Sequence, residues 1–309
     1  FVNCLPNNSS SVPNATNNKF KLKSEKNNPA FGSNQNHIPE NRDWLLAVVT
    51  YYPPVLFFSR LENALKDGYH VLVFENSPAL SEGFAPLISH EHLILMHEQM
   101  NLGLGVALNK LMNKASEMAC EFVLYFDQDT LFSPLTLSWI KVWMQSHSEL
   151  LRPYAAVQFT SAETNSTSIA GLTQKRLIIN SGSMFVLSNL EKLGWHDPRF
   201  FVECVDYKFC LDSARHGFQL GMVSACPDID HDTPQPSRSI RLFGKVYTYR
   251  RYPKKRQKDF VQALLRLCAF SIRYRRFRYV YIFFRNVLTF VITQIWYAIL
   301  DFTVNRRKN

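Results

Sequence analysis

Short apolar runs alternate with amphipathic stretches through the first half of the chain. The five apolar residues 45–49 predict a strand that is buried on both faces. Three further runs of this kind lie at residues 71–74, 93–96 and 122–126. Between the strands, apolar residues recur at helical spacing over residues 55–67 and 103–119. Strands that alternate with helices predict an α/β fold with a mostly parallel central sheet.

The pattern is less regular in the second half of the chain. Shorter strands are predicted at residues 156–159, 177–179 and 184–187. Residues 258–272 predict a helix with a narrow polar stripe on an otherwise apolar cylinder. Residues 287–300 form an apolar run that is shorter than the ~20 residues a helix needs to cross a bilayer. The run therefore predicts a helix that lies on a membrane and does not span it.

Composition excludes several classes of protein. The chain has 309 residues, of which 46% are hydrophobic and 14% aromatic, so it can bury a large core and is not a wholly disordered chain. Six cysteines lie at positions 4, 120, 204, 210, 226 and 268 and form no CxxC pair. This spacing favours reduced thiols and argues against a disulfide framework or a zinc site.

Charge divides the chain sharply near residue 238. The region from there to the end has 18 Lys and Arg against two acids, Asp259 and Asp301, whereas residues 1–237 have 17 basic and 23 acidic residues. A basic region of this kind predicts a polyanionic partner, either an anionic membrane surface or a nucleic acid. The cations alternate with aromatic rings and long apolar runs, which a solvated nucleic-acid arm does not need, so the membrane is the favoured partner.

Three regions follow from these patterns. Residues 1–42 contain eleven asparagines and few apolar residues, and they predict a disordered leader. Residues 43–237 carry the α/β pattern and predict the domain that holds the chemistry. Residues 238–309 predict a basic, aromatic, amphipathic helical tail that associates with a membrane.

Polar clusters follow three of the predicted strands directly, at residues 50–52, 75–77 and 127–129. Ligands of α/β sheets bind outside the carboxyl ends of the strands, so the three clusters are expected to share one edge of the sheet. In the third cluster, Asp127 and Asp129 are separated by one residue whose side chain turns away. Two such carboxylates can converge on Mg²⁺ or Mn²⁺, although a pair of solvated or helix-capping aspartates is the alternative interpretation.

An ordered set of motifs surrounds the DxD pair. It consists of VVTYYP at residues 48–53, VFENS at 73–77, NLGLGVALN at 101–109, NSGSMF at 180–185 and FFVECVDY at 200–207. In this order the motifs resemble family 2 glycosyltransferases, the inverting class with the GT-A, Rossmann-like fold. They most resemble the bacterial rhamnosyltransferases that build O-antigen (lipopolysaccharide) and capsule glycans. The resemblance covers residues 45–231.

The resemblance implies a role for particular residues on the donor side. It implies that a nucleotide-sugar is bound by Thr50, Tyr52, Glu75, Asn76, Asn101, Gly103, Asn109 and Asp127, and that Mg²⁺ or Mn²⁺ is held by Asp127, Asp129 and His231. The family usually has Asp where this chain has Glu75. A helix start with a glycine turn is the alternative for residues 101–109, and a surface histidine between two acids is the alternative for His231.

The resemblance also implies the identity of the general base. An inverting transfer needs a carboxylate that takes the proton of the acceptor hydroxyl. Asp206 matches the family's second acid, and Glu203 competes with it because three residues separate the two on one face if the segment is helical. Val205 replaces the family's first acid, Lys208 stands where relatives often have an acid, and Asp212 stands where they often have Arg.

The resemblance therefore implies a metal-dependent glycosyltransferase. Its expected reaction moves L-rhamnose from dTDP-rhamnose to a polyprenyl-diphosphate-linked saccharide, on the cytoplasmic face of the inner membrane. Two alternatives remain open, namely the same chemistry with UDP-galactofuranose or a UDP-hexose, and a non-catalytic sugar-binding or scaffold relative. Arg285 and Asn286 resemble an element of the rhamnosyltransferase C-terminal region, where Arg285 faces the acceptor pyrophosphate or contacts the membrane.

Overall fold

The structure of the protein, a computed structural model, describes residues 43–162, 169–231, 238–242, 245–249 and 252–306. The predicted leader at residues 1–42 lies outside the described residues. The strands are β1 (Trp44–Thr50), β2 (Val71–Glu75), β3 (Leu93–His97), β4 (Phe122–Asp127), β5 (Thr130–Leu131), β6 (Tyr154–Phe159), β7 (Leu172–Lys175), β8 (Ser183–Val186), β9 (Gln219–Val223), β10 (Asp230–His231), β11 (Arg238–Leu242) and β12 (Lys245–Tyr249). The helices are α1 (Val55–Lys66), α2 (Leu104–Glu117), α3 (Pro134–His147), α4 (Leu187–Leu193), α5 (Val205–His216), α6 (Lys254–Arg273) and α7 (Phe277–Arg306).

Eight of these strands form one central sheet in the order β3-β2-β1-β4-β8-β6-β9-β7. Strands β3, β2, β1 and β4 are mutually parallel, and β6 is parallel to β9. Strand β8 runs antiparallel to both β4 and β6, and β7 runs antiparallel to β9 at the edge. The predicted α/β class is confirmed, with a mixed sheet whose first half is fully parallel.

Apolar side chains of the central strands pack on both faces of the sheet. Along β1, Leu45 and Ala47 belong to the cluster that also contains buried residues of α2, α5 and α6. Leu46 and Val48 belong to the opposite cluster, against α1 and α3. A strand covered on both sides is apolar at every position, which explains the continuous run at residues 45–49.

The strand predicted at residues 177–179 is wrong, and the edge strand β7 lies just before it. The backbone N–H of Ile178 donates to Cys210 Sγ at 3.4 Å, and that of Ile179 donates to Gln158 Oε1 at 3.3 Å. Side chains of other elements therefore take the hydrogen bonds that a neighbouring strand would have accepted. Such long-range partners leave no mark in the local apolar pattern.

The C-terminal region is not purely helical, and it is not separate from the core. Residues 238–249 include the antiparallel pair β11–β12 before the first helix. Phe260, Leu264 and Leu267 of α6 are buried in the same apolar cluster as Phe209 of α5. The 20-residue α6 is therefore part of the packed domain.

Helix α7 is longer than the apolar run that suggested it. It has 30 residues, and its segment Tyr279–Trp296 is long and apolar enough, by length and composition alone, to cross a membrane. The expectation that this region is too short to span a bilayer is therefore not supported by its length. Only 22% of that segment is buried against the rest of the described protein.

Candidate active site

The polar clusters that follow β1 and β2 do meet at one edge of the sheet. Thr50 is paired with Glu75 in the parallel register, and its Oγ1 donates to Glu75 Oε2 at 3.0 Å. Glu75 is fully buried and also accepts hydrogen bonds from the Ser77 N–H at 3.1 Å and the Ser81 hydroxyl at 3.3 Å. Its carboxylate thus holds the strand ends together, because both of its oxygens already accept hydrogen bonds.

The loop after β1 is hydrogen-bonded to the end of β2 beside this edge. Tyr52 has a φ of +47° and is 60% exposed. Its backbone N–H donates to Ser77 Oγ at 2.7 Å, which fixes the loop to the end of β2. The Tyr51 and Tyr52 rings stand edge to face at 4.6 Å. The exposed Tyr52 ring is therefore available to a ligand that approaches the strand ends.

Asn76 and Asn101 connect the end of β2 to the start of α2. Asn76 Nδ2 donates to Asn101 Oδ1 at 3.1 Å, and Asn76 Oδ1 accepts from the Leu102 N–H at 2.8 Å. Asn101 Oδ1 also accepts from the Gly103 N–H at 2.9 Å. These contacts bring the two predicted donor-binding asparagines together at the same edge.

The glycines of this motif allow a close approach of α2 to the segment at residues 196–201. Gly103 has a φ of +82°, and a Cβ there would lie 2.6 Å from the Phe201 ring. A Cβ on Gly105 would lie 2.8 Å from the Phe200 carbonyl oxygen. Contacts shorter than van der Waals distance exclude any larger residue, so the glycines set how near α2 comes to that segment.

Asn109 reinforces the same contact from the next turns of α2. Its Nδ2 donates to the His196 carbonyl and its Oδ1 accepts from the His196 N–H, both at 2.8 Å. Both polar atoms of the Asn109 amide thus form hydrogen bonds with the backbone of His196. The contact of Gly103 and Asn109 with a donor stays a prediction, while their packing against residues 196–201 is a property of the fold.

The DxD pair lies at the end of β4, next to β1. Asp127 Oδ1 accepts a 2.6 Å hydrogen bond from the hydroxyl of Tyr125, and the Asp127 N–H donates to Ser181 Oγ at 3.0 Å. Burial, followed by the charges of Asp127 and Asp129, raises the pKa of the fully buried Tyr125 well above 10. Tyr125 therefore stays protonated and orients Asp127, whereas Asp129 is exposed.

Gln128, the residue between the two aspartates, is held away from them. The Tyr51 N–H donates to Gln128 Oε1 at 2.7 Å, and Gln128 Nε2 donates to the Tyr51 carbonyl at 3.1 Å. Arg60 Nη2 donates to the Gln128 carbonyl at 2.7 Å. The prediction that the intervening side chain turns toward another partner is confirmed.

Backbone pairing brings His231 next to the DxD pair. Strand β10 runs antiparallel to β5 with His231 opposite Thr130, the residue that follows Asp129. The His231 side chain lies outside the described residues. Among the side chains that are described, no three His, Cys, Asp or Glu residues are grouped closely enough to hold a metal ion. The donor chemistry of the two carboxylates suits Mg²⁺ or Mn²⁺, which bind few protein oxygens and take further ligands from phosphates.

Asp206 is the second residue of α5 and lies within electrostatic reach of Asp127. Its pKa is raised to about 6, mainly by burial and in smaller part by the charges of Asp127 and Glu203, against the opposing effect of a 2.9 Å hydrogen bond from the Tyr207 N–H. A carboxylate with this pKa can take a proton near neutral pH. The role of Asp206 as the base stays a prediction.

Glu203 differs from Asp206 in both position and partner. It precedes α5, so the condition under which a helix would place it on the same face as Asp206 is not met. Glu203 Oε1 accepts a 2.5 Å ionic hydrogen bond from Arg256 Nε of α6. Burial raises the Glu203 pKa, and Arg256 opposes this rise. Its carboxylate is therefore neutralised by an ion pair.

Lys208 and Asp212, which depart from the family pattern, are partners of each other. Lys208 Nζ donates to Asp212 Oδ2 one turn along α5, and it lies 3.4 Å from Asp197 Oδ2. Arg199 binds Asp197 with two hydrogen bonds, at 2.6 and 2.9 Å. Although burial acts to raise the Asp197 pKa, these bonds and Lys208 lower it. Two cations balance two anions, which accounts for the buried charge of Lys208.

Arg256 and Asp259 of α6 were missed by the sequence reasoning. They lie some fifty residues after the segment that they contact, inside a region interpreted only as a membrane tail. The available signal was Asp259, because it is one of two acids among 18 basic residues from residue 238 onward. An acid such as Asp259 among so many cations favours a specific hydrogen-bond or ion-pair partner.

Comparison with known proteins shows distant likeness to solved structures only. No protein-family model matches the sequence, and no curated protein matches it. S. aureus TarS residues 1–349 in complex with UDP-GlcNAc is 13% identical, over 74% of this chain and 66% of that chain, with a TM-score of 0.48. GalNAc-T7 with UDP, GalNAc and Mn²⁺ is 9% identical, over 61% of this chain and 42% of that chain, with a TM-score of 0.48.

A longer TarS chain from S. aureus gives a similar result. It is 15% identical, over 61% of this chain and 36% of that chain, with a TM-score of 0.43. The chain thus covers between about one third and two thirds of these solved chains. Likeness at this level carries no inference about activity, and the α/β fold described above rests on the strand order alone.

Proposed function

We propose that the protein is an inverting glycosyltransferase of the GT-A class that uses a nucleotide-sugar donor and a divalent metal. The observation that carries this proposal is that Asp206, whose pKa is raised to about 6, lies within electrostatic reach of Asp127, which ends β4 beside β1. Asp127 belongs to a DxD pair, so one edge combines a base with two candidate metal ligands. The ordered motifs at residues 45–231 add support from the sequence.

The reaction needs one proton acceptor and one site for the leaving group. Asp206 takes the proton of the acceptor hydroxyl while the acceptor oxygen forms a bond to the anomeric carbon on the face opposite the nucleotide. The bond from that carbon to the diphosphate oxygen breaks with its electron pair, and the configuration inverts. Asp127 and Asp129 would hold Mg²⁺ or Mn²⁺, which neutralises charge on the departing diphosphate when it is bound.

The surrounding residues favour Asp206 over Glu203 as the base. The carboxylate of Glu203 is engaged in an ion pair with Arg256 at 2.5 Å, although burial raises its pKa. Asp206 has no cation among the groups that shift its pKa, and neighbouring acids strengthen its basicity. Tyr125 keeps Asp127 oriented through its 2.6 Å hydrogen bond. Asp206 and Asp127 are thus proposed for different tasks, the first as the base and the second as a metal ligand, because their partners differ.

The proposed donor is dTDP-rhamnose, with a UDP-sugar as the alternative, and the proposed acceptor is a polyprenyl-diphosphate-linked saccharide. Both choices rest on the resemblance to rhamnosyltransferases. Calorimetric titration of the protein with dTDP-rhamnose, UDP-galactofuranose and UDP-glucose, with and without Mn²⁺, tests the reaction class and the donor together. We expect metal-dependent binding of one donor.

The matched variants are Asp129→Ala and Asp67→Ala. Asp129→Ala should weaken Mn²⁺-dependent donor binding by about 100-fold, because charge neutralisation by a metal contributes several kcal/mol. Asp67 follows α1 and serves as an exposed acidic control. Absence of binding by any donor to the folded protein, or equal binding by both variants, would contradict the proposal and favour a scaffold or a non-catalytic relative.

We also propose that α7 attaches the protein to the cytoplasmic face of an anionic bilayer. Its exposed apolar side chains recur every three or four residues and therefore share one face of the helix. Among the side chains that the structure describes, they are Phe277, Tyr281, Phe284, Leu288, Val291, Ile292, Ile295 and Trp296. Ile282, Phe283 and Phe290 are buried on the other side. The cations of the region from residue 238 complement anionic headgroups.

Flotation with phosphatidylglycerol vesicles tests the attachment. Replacing Phe284, Leu288 and Ile292 together with Ser should weaken binding by about 1,000-fold, because each side chain contributes about 1.5–3 kcal/mol on leaving water. Val142→Ser on α3 is the control, since Val142 is 62% exposed on another helix. Unchanged binding of the triple variant would refute the proposal. Release of the wild type by alkaline carbonate would distinguish a surface helix from a spanning one.

A further inference from the structure

Helix α6 contacts the segment that leads into α5 at three successive places. Arg256 Nε donates to Glu203 Oε1 at 2.5 Å. Asp259 Oδ2 accepts from the backbone N–H of Val202 at 3.2 Å and of Glu203 at 3.1 Å. About two turns further along α6, Arg266 donates to the Arg199 carbonyl. The residues immediately before the candidate base are thus held from a helix that follows them by about fifty residues.

Glu203 is held by both its backbone and its side chain. Arg256 and Asp259 are three residues apart and therefore lie on one face of α6. Arg256 binds the carboxylate of Glu203, while Asp259 binds its N–H. Hydrogen bonds to a charged group are about twice as strong as neutral ones. Arg256 and Asp259, which carry opposite charges, thus fix the orientation of Glu203.

The start of α5 lacks a side-chain cap on the residue that precedes it. The residue that precedes the helix is Cys204, with a φ of +64° in the left-handed region and no side-chain hydrogen bond that caps the helix. A non-glycine residue in this region costs of order 1–3 kcal/mol and persists only where its surroundings impose it. Here Glu203, which precedes Cys204 and is held by α6, supplies that constraint. Asp206 follows Cys204 by two positions.

We propose that Arg256 and Asp259 are positioning residues that hold the 202–204 turn so that Asp206 faces the acceptor hydroxyl. The inference rests on the proposed function and extends it, because it makes α6 part of the catalytic unit as well as a support for α7. Neither residue needs to touch a substrate. Their contribution is to the rate of transfer, through the geometry of the base, and not to the affinity for the donor.

The test compares two substitutions of Asp259 in the full chain. Asp259→Ala removes both accepted hydrogen bonds and should lower kcat by about 10- to 100-fold, while the donor Kd changes by less than about twofold. Asp259→Asn keeps a side-chain oxygen that can accept both N–H groups, and it should restore kcat to within about threefold of the wild type. Hydrogen exchange of the Val202 and Glu203 amides should be faster in Asp259→Ala than in the wild type.

Arg256 is tested against a control on the same helix. Arg256→Gln should lower kcat with the donor Kd unchanged, and Arg256→Lys should recover part of the loss because it restores a cation beside Glu203. Lys258→Gln removes one exposed positive charge near Arg256 and should leave kcat unchanged. An equal loss in Lys258→Gln would show a general effect of charge and overturn the role of Arg256.

The outcomes separate this inference from the proposed function. If the wild type transfers sugar and Asp259→Ala is equally fast, or if amide exchange at Val202 and Glu203 is unchanged in that variant, the positioning role is wrong. If the wild type binds no nucleotide-sugar and transfers none, the proposed function fails. Amide exchange then still measures whether Asp259 holds the turn, because it requires no substrate.

Discussion

The two sides of the candidate site are built in different ways. The proposed donor side consists of the ends of β1, β2 and β4, where the parallel register sets Thr50 beside Glu75 and Val49 beside Asp127. The proposed acceptor side consists of the turn before α5, which is held by Arg256 and Asp259 of α6. The first arrangement follows from strand order alone, whereas the second depends on contacts between distant parts of the chain.

This difference also appears in the electrostatics. Asp127 accepts a hydrogen bond from the hydroxyl of Tyr125 and ends β4 at the carboxyl edge of the sheet. Partial burial and the charges of Asp127 and Glu203 raise the pKa of Asp206 to about 6, against a hydrogen bond from the Tyr207 N–H. The two aspartates of the site thus differ in their surroundings, because Asp127 accepts a side-chain hydrogen bond from Tyr125, whereas Asp206 accepts one from a backbone N–H and has acids nearby.

The largest expected effect is on the rate of transfer, and it distinguishes the proposed base from donor binding on the other side of the site. Asp206→Asn removes the proton acceptor and should lower kcat by about 10²- to 10⁴-fold while Mn²⁺-dependent donor binding persists. Glu203→Gln should lower it far less, because its carboxylate is already paired with Arg256. Steady-state kinetics with calorimetric donor binding check both variants. Near-normal turnover in Asp206→Asn together with a large loss in Glu203→Gln would transfer the role of base to Glu203.

A smaller effect tests the electrostatic difference through pH. Asp206 must be ionised to accept a proton, so kcat should fall about tenfold per pH unit below its pKa. The negative charge of Glu203 contributes to the raised pKa of Asp206, along with burial and Asp127. In Glu203→Gln that charge is gone, so the acid limb of the kcat–pH profile should move to lower pH. A limb that stays in place or moves upward would contradict this arrangement.

The smallest effect concerns the packing that joins the two sides. Gly103 and Gly68 both have a positive φ, but a Cβ on Gly103 would lie 2.6 Å from the Phe201 ring, whereas a Cβ on Gly68 meets nothing within 4 Å. Both Gly→Ala variants carry backbone strain of about 1 kcal/mol, and Gly103→Ala should lose about 1–3 kcal/mol more through overpacking. Urea unfolding measures both values, and equal losses would contradict the importance of this close approach.

Much of the first half of the fold was predictable from local pattern. Strands β1 to β4 and helices α1 and α2 lie within about two residues of their predicted bounds, because each is a continuous apolar run or a clear helical stripe. The strand at residues 177–179 failed because the hydrogen bonds of its backbone go to Gln158 and Cys210. The extent of α7 was underestimated because its aromatic and basic first turns interrupt the apolar run.

The sequence by itself determined the α/β class, the polar strand ends, the DxD pair and the acid at position 206. These features are local, since strand order carries the ends of neighbouring parallel strands to one edge of the sheet. Only the tertiary structure decided that Glu75 holds the strand ends together, that Glu203 is neutralised by Arg256, and that α6 belongs to the core. Each of these depends on a partner far away in the chain. The ion pairs and burial of a side chain are set by its neighbours in space, and the local sequence does not identify those neighbours.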